Sequence, residues 1–213
     1  MTKREYGQFC GLVKALELVG ERWALLIVRD LLVGPRRFTD LRQGLPRIPT
    51  NILSARLKEL EHSGIIQRRV LPRPDGSVVY ELTEYGKELE PAVIPLARWG
   101  AKSLTVPGPN EIVTSSSLVM AMRTTFRPEA ARGLSASFEL RVGPVTIHMR
   151  IVNGELTVGE GELPDADLRI ESRPGLKALM SGEVSPKDAI ANKTVLLTGD
   201  TLLLNRFTEV FRL

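Results

Sequence analysis

Between Arg36 and Glu81 the sequence passes from helical to alternating periodicity, an order that few folds accommodate in so short a span. Arg36-Arg37-Phe38-Thr39-Asp40-Leu41 leads into a short helix over Phe38 to Leu45, stopped by Gly44 and Pro46. Pro49-Thr50 starts a longer helix with Leu53, Leu57 and Leu60 as its buried stripe and Gly64 as its C-terminal stop. Residues 65–71 and 77–83 have strand character, and Pro72-Arg73-Pro74-Asp75-Gly76 between them carries turn chemistry. In the second strand Val78, Tyr80 and Leu82 alternate with Val79 and Glu81, as a half-exposed strand does.

Two short helices, a tight turn and a basic hairpin in that order predict a winged helix-turn-helix, which lays one helix in the DNA major groove. With Leu53, Leu57 and Leu60 turned inward, Thr50, Asn51, Ser54, Ala55 and Lys58 fall on the opposite side of the second helix. These side chains are short or able to hydrogen-bond, which suits a helix pressed into a groove. Asn51 is of the type that pairs bidentately with adenine. Taken alone, this helix also fits an ordinary amphipathic helix with a polar outer face. The arginines around it favour DNA. Arg36 and Arg37 precede the first helix, Arg47 sits in the turn, and Arg68, Arg69 and Arg73 mark the hairpin, flanking the groove helix with phosphate contacts. Arg37 has a competing role, pairing with Asp40 or a helix end.

Charge agrees with this placement. The net charge of +4 arises from 17 basic against 12 acidic side chains over residues 1–104, and 12 against 13 over residues 105–213. A basic surface confined to one half attracts a polyanion, and nucleic acid is the usual one. The single cysteine, Cys10, excludes an intrachain disulfide framework and a cysteine-based zinc site. With only His62 and His148 as imidazoles, no structural metal or other cofactor is expected. No apolar run approaches the roughly 20 residues of a membrane span. Met1-Thr2-Lys3-Arg4-Glu5 leads into no signal-like apolar core, so a cytoplasmic location is expected.

Elsewhere in the first half, Leu12, Val13, Leu16 and Val19 recur at helix spacing, and Glu21-Arg22-Trp23 opens another helix with Trp23, Leu26, Ile27 and Leu31 on one side. Thr83 caps a helix from Glu84 to about Leu104, with Leu89, Val93, Leu96 and Trp99 in period; Pro91 and Pro95 predict a kink or break. Val106-Pro107-Gly108-Pro109-Asn110 reads as a linker. Beyond it come a helix near Ser116–Thr125 and a hairpin of residues 138–142 and 145–151 around Gly143-Pro144. Strands follow at Glu155–Gly159 and Asp167–Glu171, then helices near 174–181, 186–191 and 201–211. Strands first and helices after suggest an α+β layer domain.

From Tyr6 to Gly100 the chain resembles the HxlR-type family of bacterial transcriptional regulators, relatives of the MarR group. The resemblance rests on Cys10, Leu18-Val19-Gly20-Glu21-Arg22-Trp23, Arg37-Phe38-Thr39-Asp40-Leu41, Leu53-Ser54-Ala55-Arg56-Leu57-Lys58-Glu59-Leu60, Gly64-Ile65 and Tyr80-Glu81-Leu82-Thr83-Glu84-Tyr85-Gly86. It implies a homodimer that binds a pseudo-palindromic operator on double-stranded DNA, with the N-terminal helix and the helix after the wing forming the dimer interface. Some members sense oxidants through a cysteine at the position of Cys10. Here Gly11 stands where a proline commonly follows, and Lys14 and Arg22 are candidates to lower the thiol pKa. The plainer reading is a small residue packed in the interface.

The second half resembles the sterol-carrier-protein type 2-like fold. The resemblance rests on the hairpin, Asp167-Leu168-Arg169-Ile170, Met180-Ser181-Gly182-Glu183, Asp188-Ala189 and Thr198-Gly199-Asp200 before a final helix. It implies an apolar pocket, with candidate walls at Leu118, Met122, Phe138, Leu140, Ile147, Met149, Leu176, Met180, Leu203 and Phe207. The same residues also read as plain core. The acidic group Glu160, Glu162, Asp165 and Asp167 lacks a cation-loop pattern, His148 has no evident catalytic partner, and the Ser115-Ser116-Ser117 run lacks a nucleophile's setting; no enzyme activity is expected.

The sequence thus predicts two domains: a mainly α winged helix-turn-helix over residues 1–105, a linker at 106–111, and an α+β sterol-carrier-protein type 2-like domain over 112–213. The expected function is a homodimeric transcriptional regulator modulated by a hydrophobic small molecule. A hydrophobic-ligand carrier that uses its first domain only for dimerisation is the alternative.

Overall fold

Glycine and proline cut the first half into short helices before a two-stranded wing. The structure, a computed structural model, describes residues 5–105, 108, 111–173 and 175–213. Of the expected linker, Val106, Pro107, Pro109 and Asn110 lie outside the described residues, as does Pro174, the expected start of a helix. The chain divides into two compact units, Met1–Val93 and Ile94–Leu213. That division falls inside a helix, short of the proline-glycine segment.

The first unit runs α1 (Gly11–Val19), α2 (Ala24–Val33), α3 (Phe38–Gly44), α4 (Thr50–His62), β1 (Ile66–Val70), β2 (Val78–Leu82) and α5 (Glu84–Lys87), then enters α6 (Glu90–Ala101). Its core is Ile27, Val28 and Leu31 of α2, Leu41 of α3, the α4 leucines, and Ile65 and Ile66. β1 and β2 pair antiparallel, with Ile66 opposite Leu82 and Val70 opposite Val78. Thr83 caps α5 by accepting the Gly86 N–H at 3.1 Å. A Cβ at Gly86 would sit 2.0 Å from the Ile65 carbonyl oxygen, so only glycine lets this turn close against the start of the wing.

The expected helix over 84–104 is broken between Lys87 and Glu90, which places Pro91 in the first turn of α6, where its missing N–H costs nothing. Pro95 remains inside α6. Two apolar stripes differ from expectation. On α1, Val13 and Val19 are buried while Leu12 and Leu16 point outward. In α2, Trp23 is the cap residue rather than part of the stripe, Leu26 is exposed, and Ala24 and Val28 join Ile27 and Leu31 in the core.

The second unit continues with α7 (Ser115–Thr125), β3 (Ala136–Val142), β4 (Val145–Val152), β5 (Glu155–Glu160), β6 (Leu168–Ser172), α8 (Leu176–Ser181), α9 (Pro186–Ala191), β7 (Val195–Gly199) and α10 (Leu203–Val210). The five strands are ordered β5-β4-β3-β6-β7. β3 and β6 run parallel; the other pairs are antiparallel. β7 corrects the expectation of helices only after β6. Thr114 and Ser117 cap α7 reciprocally: Ser117 N–H donates to Thr114 Oγ1 at 3.1 Å and Thr114 N–H to Ser117 Oγ at 2.9 Å. The serine run is therefore a helix start.

Candidate nucleic-acid interface

One stripe sets how α4 presents itself. Leu53, Leu57 and Leu60 are buried, and Arg56 with them. The other side is left outward: Thr50, Asn51 and Lys58 are exposed, and Ser54 and Ala55 are half-buried. Arg56, for which no role was read from the sequence, pairs with Glu21 at 3.3 Å and with Glu59 one turn along. It fastens α4 to the segment ahead of α2. The only trace of this in the sequence is the Arg-x-x-Glu spacing.

The wing gains a third rung from Arg36. Its N–H donates to the Tyr80 carbonyl at 2.9 Å and its own carbonyl accepts the Tyr80 N–H at 2.7 Å, while its side chain is half-buried. Arg37 fills both of its competing roles. Its N–H donates to Asp40 Oδ2 at 2.9 Å, closing the start of α3, and its guanidinium lies 2.5 Å from Asp75 Oδ2 at the wing tip.

Several arginines expected at phosphates hold internal partners. Arg68 donates to Glu61 at 2.8 Å, and Arg69 to Glu81 at 2.8 Å. Gln67 stands opposite Glu81 and Arg69 opposite Val79, so Arg69 reaches Glu81 on the diagonal of the strand pair. Hydrogen bonds from Arg69 and then Gln67 hold the Glu81 carboxyl below the usual carboxylate range. Asp75 is lowered too, first by Ser77 and then by the charge of Arg37. Among the described residues, Lys58 and Arg73 are exposed with no ion-pair partner, and Arg47 is exposed. Arg42 in the last turn of α3 is likewise exposed, a basic position that the sequence reading passed over. The unit thus carries an outward polar face on α4 together with exposed cations on α3, in the turn after it, on α4 and in the wing, and cations of this kind fix register on a phosphate backbone.

Cys10 is a free, exposed thiol ahead of the first residue of α1. Its pKa is lowered by the backbone N–H groups of Val13 and Leu12 at the helix start. The cations expected to do this are engaged elsewhere: Lys14 pairs with Glu17 at 2.7 Å and Arg22 lies 5.0 Å over the Trp23 ring.

In the second unit the ten candidate pocket residues form the interior. Leu118, Met122, Phe138, Leu140, Ile147, Met149, Met180 and Phe207 are buried; Leu176 and Leu203 are half-buried. Phe138 meets Phe207 edge-on at 5.5 Å, and Phe207 meets Phe211 at 4.9 Å. None of the ten lines either of two surface cavities. One, of about 240 Å³, lies against Lys14, Leu18, Ile65, Tyr85 and Leu89; the other, of about 440 Å³, is taken up below. The acidic side chains have structural partners: Glu162 pairs with Arg141 at 3.1 Å, Asp165 with Arg150 at 3.2 Å, and Asp167 accepts from Ser137 N–H and Oγ at 2.7 Å each. His148 Nδ1 is 3.2 Å from the Gly161 carbonyl. No helix among the described residues is long and apolar enough to cross a membrane.

Comparison with known proteins agrees with this architecture. Residues 18–106 match the HxlR-like helix-turn-helix family, and residues 121–212 match the SCP-2 sterol transfer family. The HTH-type transcriptional regulator YvaP of Bacillus subtilis is 38% identical over 89 residues, covering 42% of this chain and 82% of that protein. The HTH-type transcriptional regulator YodB of the same organism is 39% identical over 94 residues, covering 44% and 83%. The reduced form of YodB, as a solved structure, is 36% identical, covers 45% of this chain and 95% of that one, and superposes with a TM-score of 0.40. The chain belongs to the HxlR-like helix-turn-helix family of transcriptional regulators and carries a second domain of the SCP-2 sterol transfer family.

Proposed function

We propose that this regulator binds operator DNA in the cytoplasm as a homodimer, inserting the Thr50–Lys58 face of α4 into the major groove and setting the wing on the flanking backbone. The observation that carries this reading is the outward polar face of α4, Lys58 included, which its buried leucines leave turned away from the core. Half-sites one helical turn apart, about 10 base pairs centre to centre, are what a two-fold dimer of this motif reads.

Dimerisation is supported by apolar side chains on two helices. Leu12 and Leu16 of α1 are 69% and 41% exposed, and Leu96 and Trp99 of α6 are 50% and 70% exposed. Helical rows of this kind left in water mark a protein-protein interface. Modulation by a hydrophobic small molecule rests on the SCP-2 match and on the methionines Met122, Met149 and Met180 among the interior side chains, which repack readily around varied shapes.

Selection of bound duplexes from a randomised pool by the purified full chain tests the reading. Enrichment of an inverted repeat is expected. A pool that remains random at low salt would reject operator recognition.

A further inference from the structure

The cavity of about 440 Å³ lies wholly within Ile94–Leu213, and arginine dominates its polar lining: Arg98, Arg127 and Arg212, with Glu129, Phe126 and Pro128 beside them. The fold brings these together from three places in the sequence. Arg98 comes from α6, Arg127 follows α7, and Arg212 follows α10. Their backbones are tied: Arg127 N–H donates to the Val210 carbonyl at 2.8 Å, and Arg212 N–H to the Thr125 carbonyl at 2.9 Å. Between these bonds Phe126 and Phe211 form a β-bridge, with their rings 5.8 Å apart.

Two of the three guanidinium groups are placed without a carboxylate. Arg98 donates from Nε and Nη2 to the Thr124 carbonyl at 3.0 and 2.8 Å. That clamp uses two of its five N–H groups and leaves three for another acceptor. Arg212 runs over Gly182, where a Cβ would fall 2.6 Å from its Nη2, so the glycine makes room for it. Only Arg127 has an acidic partner, Glu129 at 2.9 Å. Three guanidinium groups and the Glu129 side-chain carboxylate thus gather over a partly apolar wall, with Thr125 and Leu213 completing the lining. Like charges gathered this way repel unless an anion joins them.

We propose that this cleft binds a phosphate monoester, its dianionic head shared by Arg98 and Arg212 and its organic body lying against Phe126 and Pro128. Phosphate matches the forked guanidinium donors, and Arg98 keeps three N–H groups beyond its bonds to the Thr124 carbonyl. The volume falls within the range of small-molecule sites, well above what an inorganic ion fills. None of the lining residues belongs to α4 or to the ten interior candidates, and the proposal stands whether or not the protein reads an operator.

Calorimetric titration of the full chain with phenyl phosphate at pH 8, where the ester is a dianion, tests the site. One ligand per chain is expected, with no heat from phenol. Arg212→Gln, at an exposed position, should weaken binding at least about tenfold through loss of a charge-assisted contact. Arg98→Lys, which retains the charge but not the fork, should also weaken it, and Arg150→Gln on β4 should leave it unchanged. Phenol binding as tightly as phenyl phosphate, or wild-type affinity in both Arg212→Gln and Arg98→Lys with unchanged thermal midpoints, would overturn the proposal.

Discussion

Arg37 and Asp75, far apart in sequence, meet at 2.5 Å, so the start of α3 and the tip of the wing are joined by one ion pair. Both residues are exposed, and such a pair contributes little stability. Its consequence is for DNA. Asp75 places a negative charge beside a cation expected to meet phosphate. Asp75→Asn should leave the thermal midpoint near the wild-type value and steepen the salt dependence of DNA binding by about 0.9 in log-log slope, as one more phosphate contact would. Binding isotherms at several salt concentrations provide the measurement; an unchanged slope would show that Arg37 does not reach the backbone.

Acid should loosen the wing before the core. Asp75 and Glu81 are both held below the usual carboxylate range in the folded protein. A depressed folded pKa contributes stability that is present above the unfolded value and is lost as pH falls through the folded one. Amide exchange in β1 and β2 should therefore accelerate as pH falls through and below the ordinary carboxylate range, after correction for intrinsic exchange, with α4 still protected. Uniform loss of protection across the first unit would contradict this.

Most of the first unit was legible because its elements are local. The leucines of α4, the Thr83 cap and the turn at Pro72–Gly76 each announce themselves within a few residues. The internal partners of Arg68 and Arg69 were not legible, since they depend on strand register and on where α4 ends. Strand β7 was missed for another reason. Val195-Leu196-Leu197 has no alternation, and it lies at the sheet edge with only Val195 buried. On α1 the period was right but its meaning was double, with Val13 and Val19 serving the core while Leu12 and Leu16 face out. Periodicity identifies a helix without saying which apolar face meets its own domain.

The outward leucines should belong to a dimer. Leu16→Glu in α1 would place a charge in that surface without disturbing the unit's core. Sedimentation should report a dimer for the wild type and a monomer for the variant. A wild type that is monomeric at tens of micromolar, or a variant that remains dimeric, would contradict the assignment.

For Cys10, the α1 N–H groups that lower its pKa predict a reactive thiol. The rate of alkylation should rise with pH through a midpoint below that of an unperturbed cysteine. If Cys10 is a redox switch, diamide should alter DNA binding by the wild type and not by Cys10→Ser. Equal responses would reduce the residue to packing.

Phe207 decides between filled core and open pocket in the second unit. It touches Phe138 and Phe211 and is fully buried. Phe207→Ala should cost about 3–5 kcal/mol in denaturant unfolding if the space is packed. A loss well below that range would point to a pocket that is already open.

The central claim is that the outward face of α4 reads base pairs, and Asn51→Ala tests it most directly. Affinity for a selected operator and for a scrambled duplex, measured at one salt concentration, gives the specificity ratio. The ratio should fall by the equivalent of about 1–3 kcal/mol, the worth of one bidentate base contact, while scrambled-duplex affinity stays the same. An unchanged ratio in Asn51→Ala, or equal weakening on both duplexes, would contradict this account of α4.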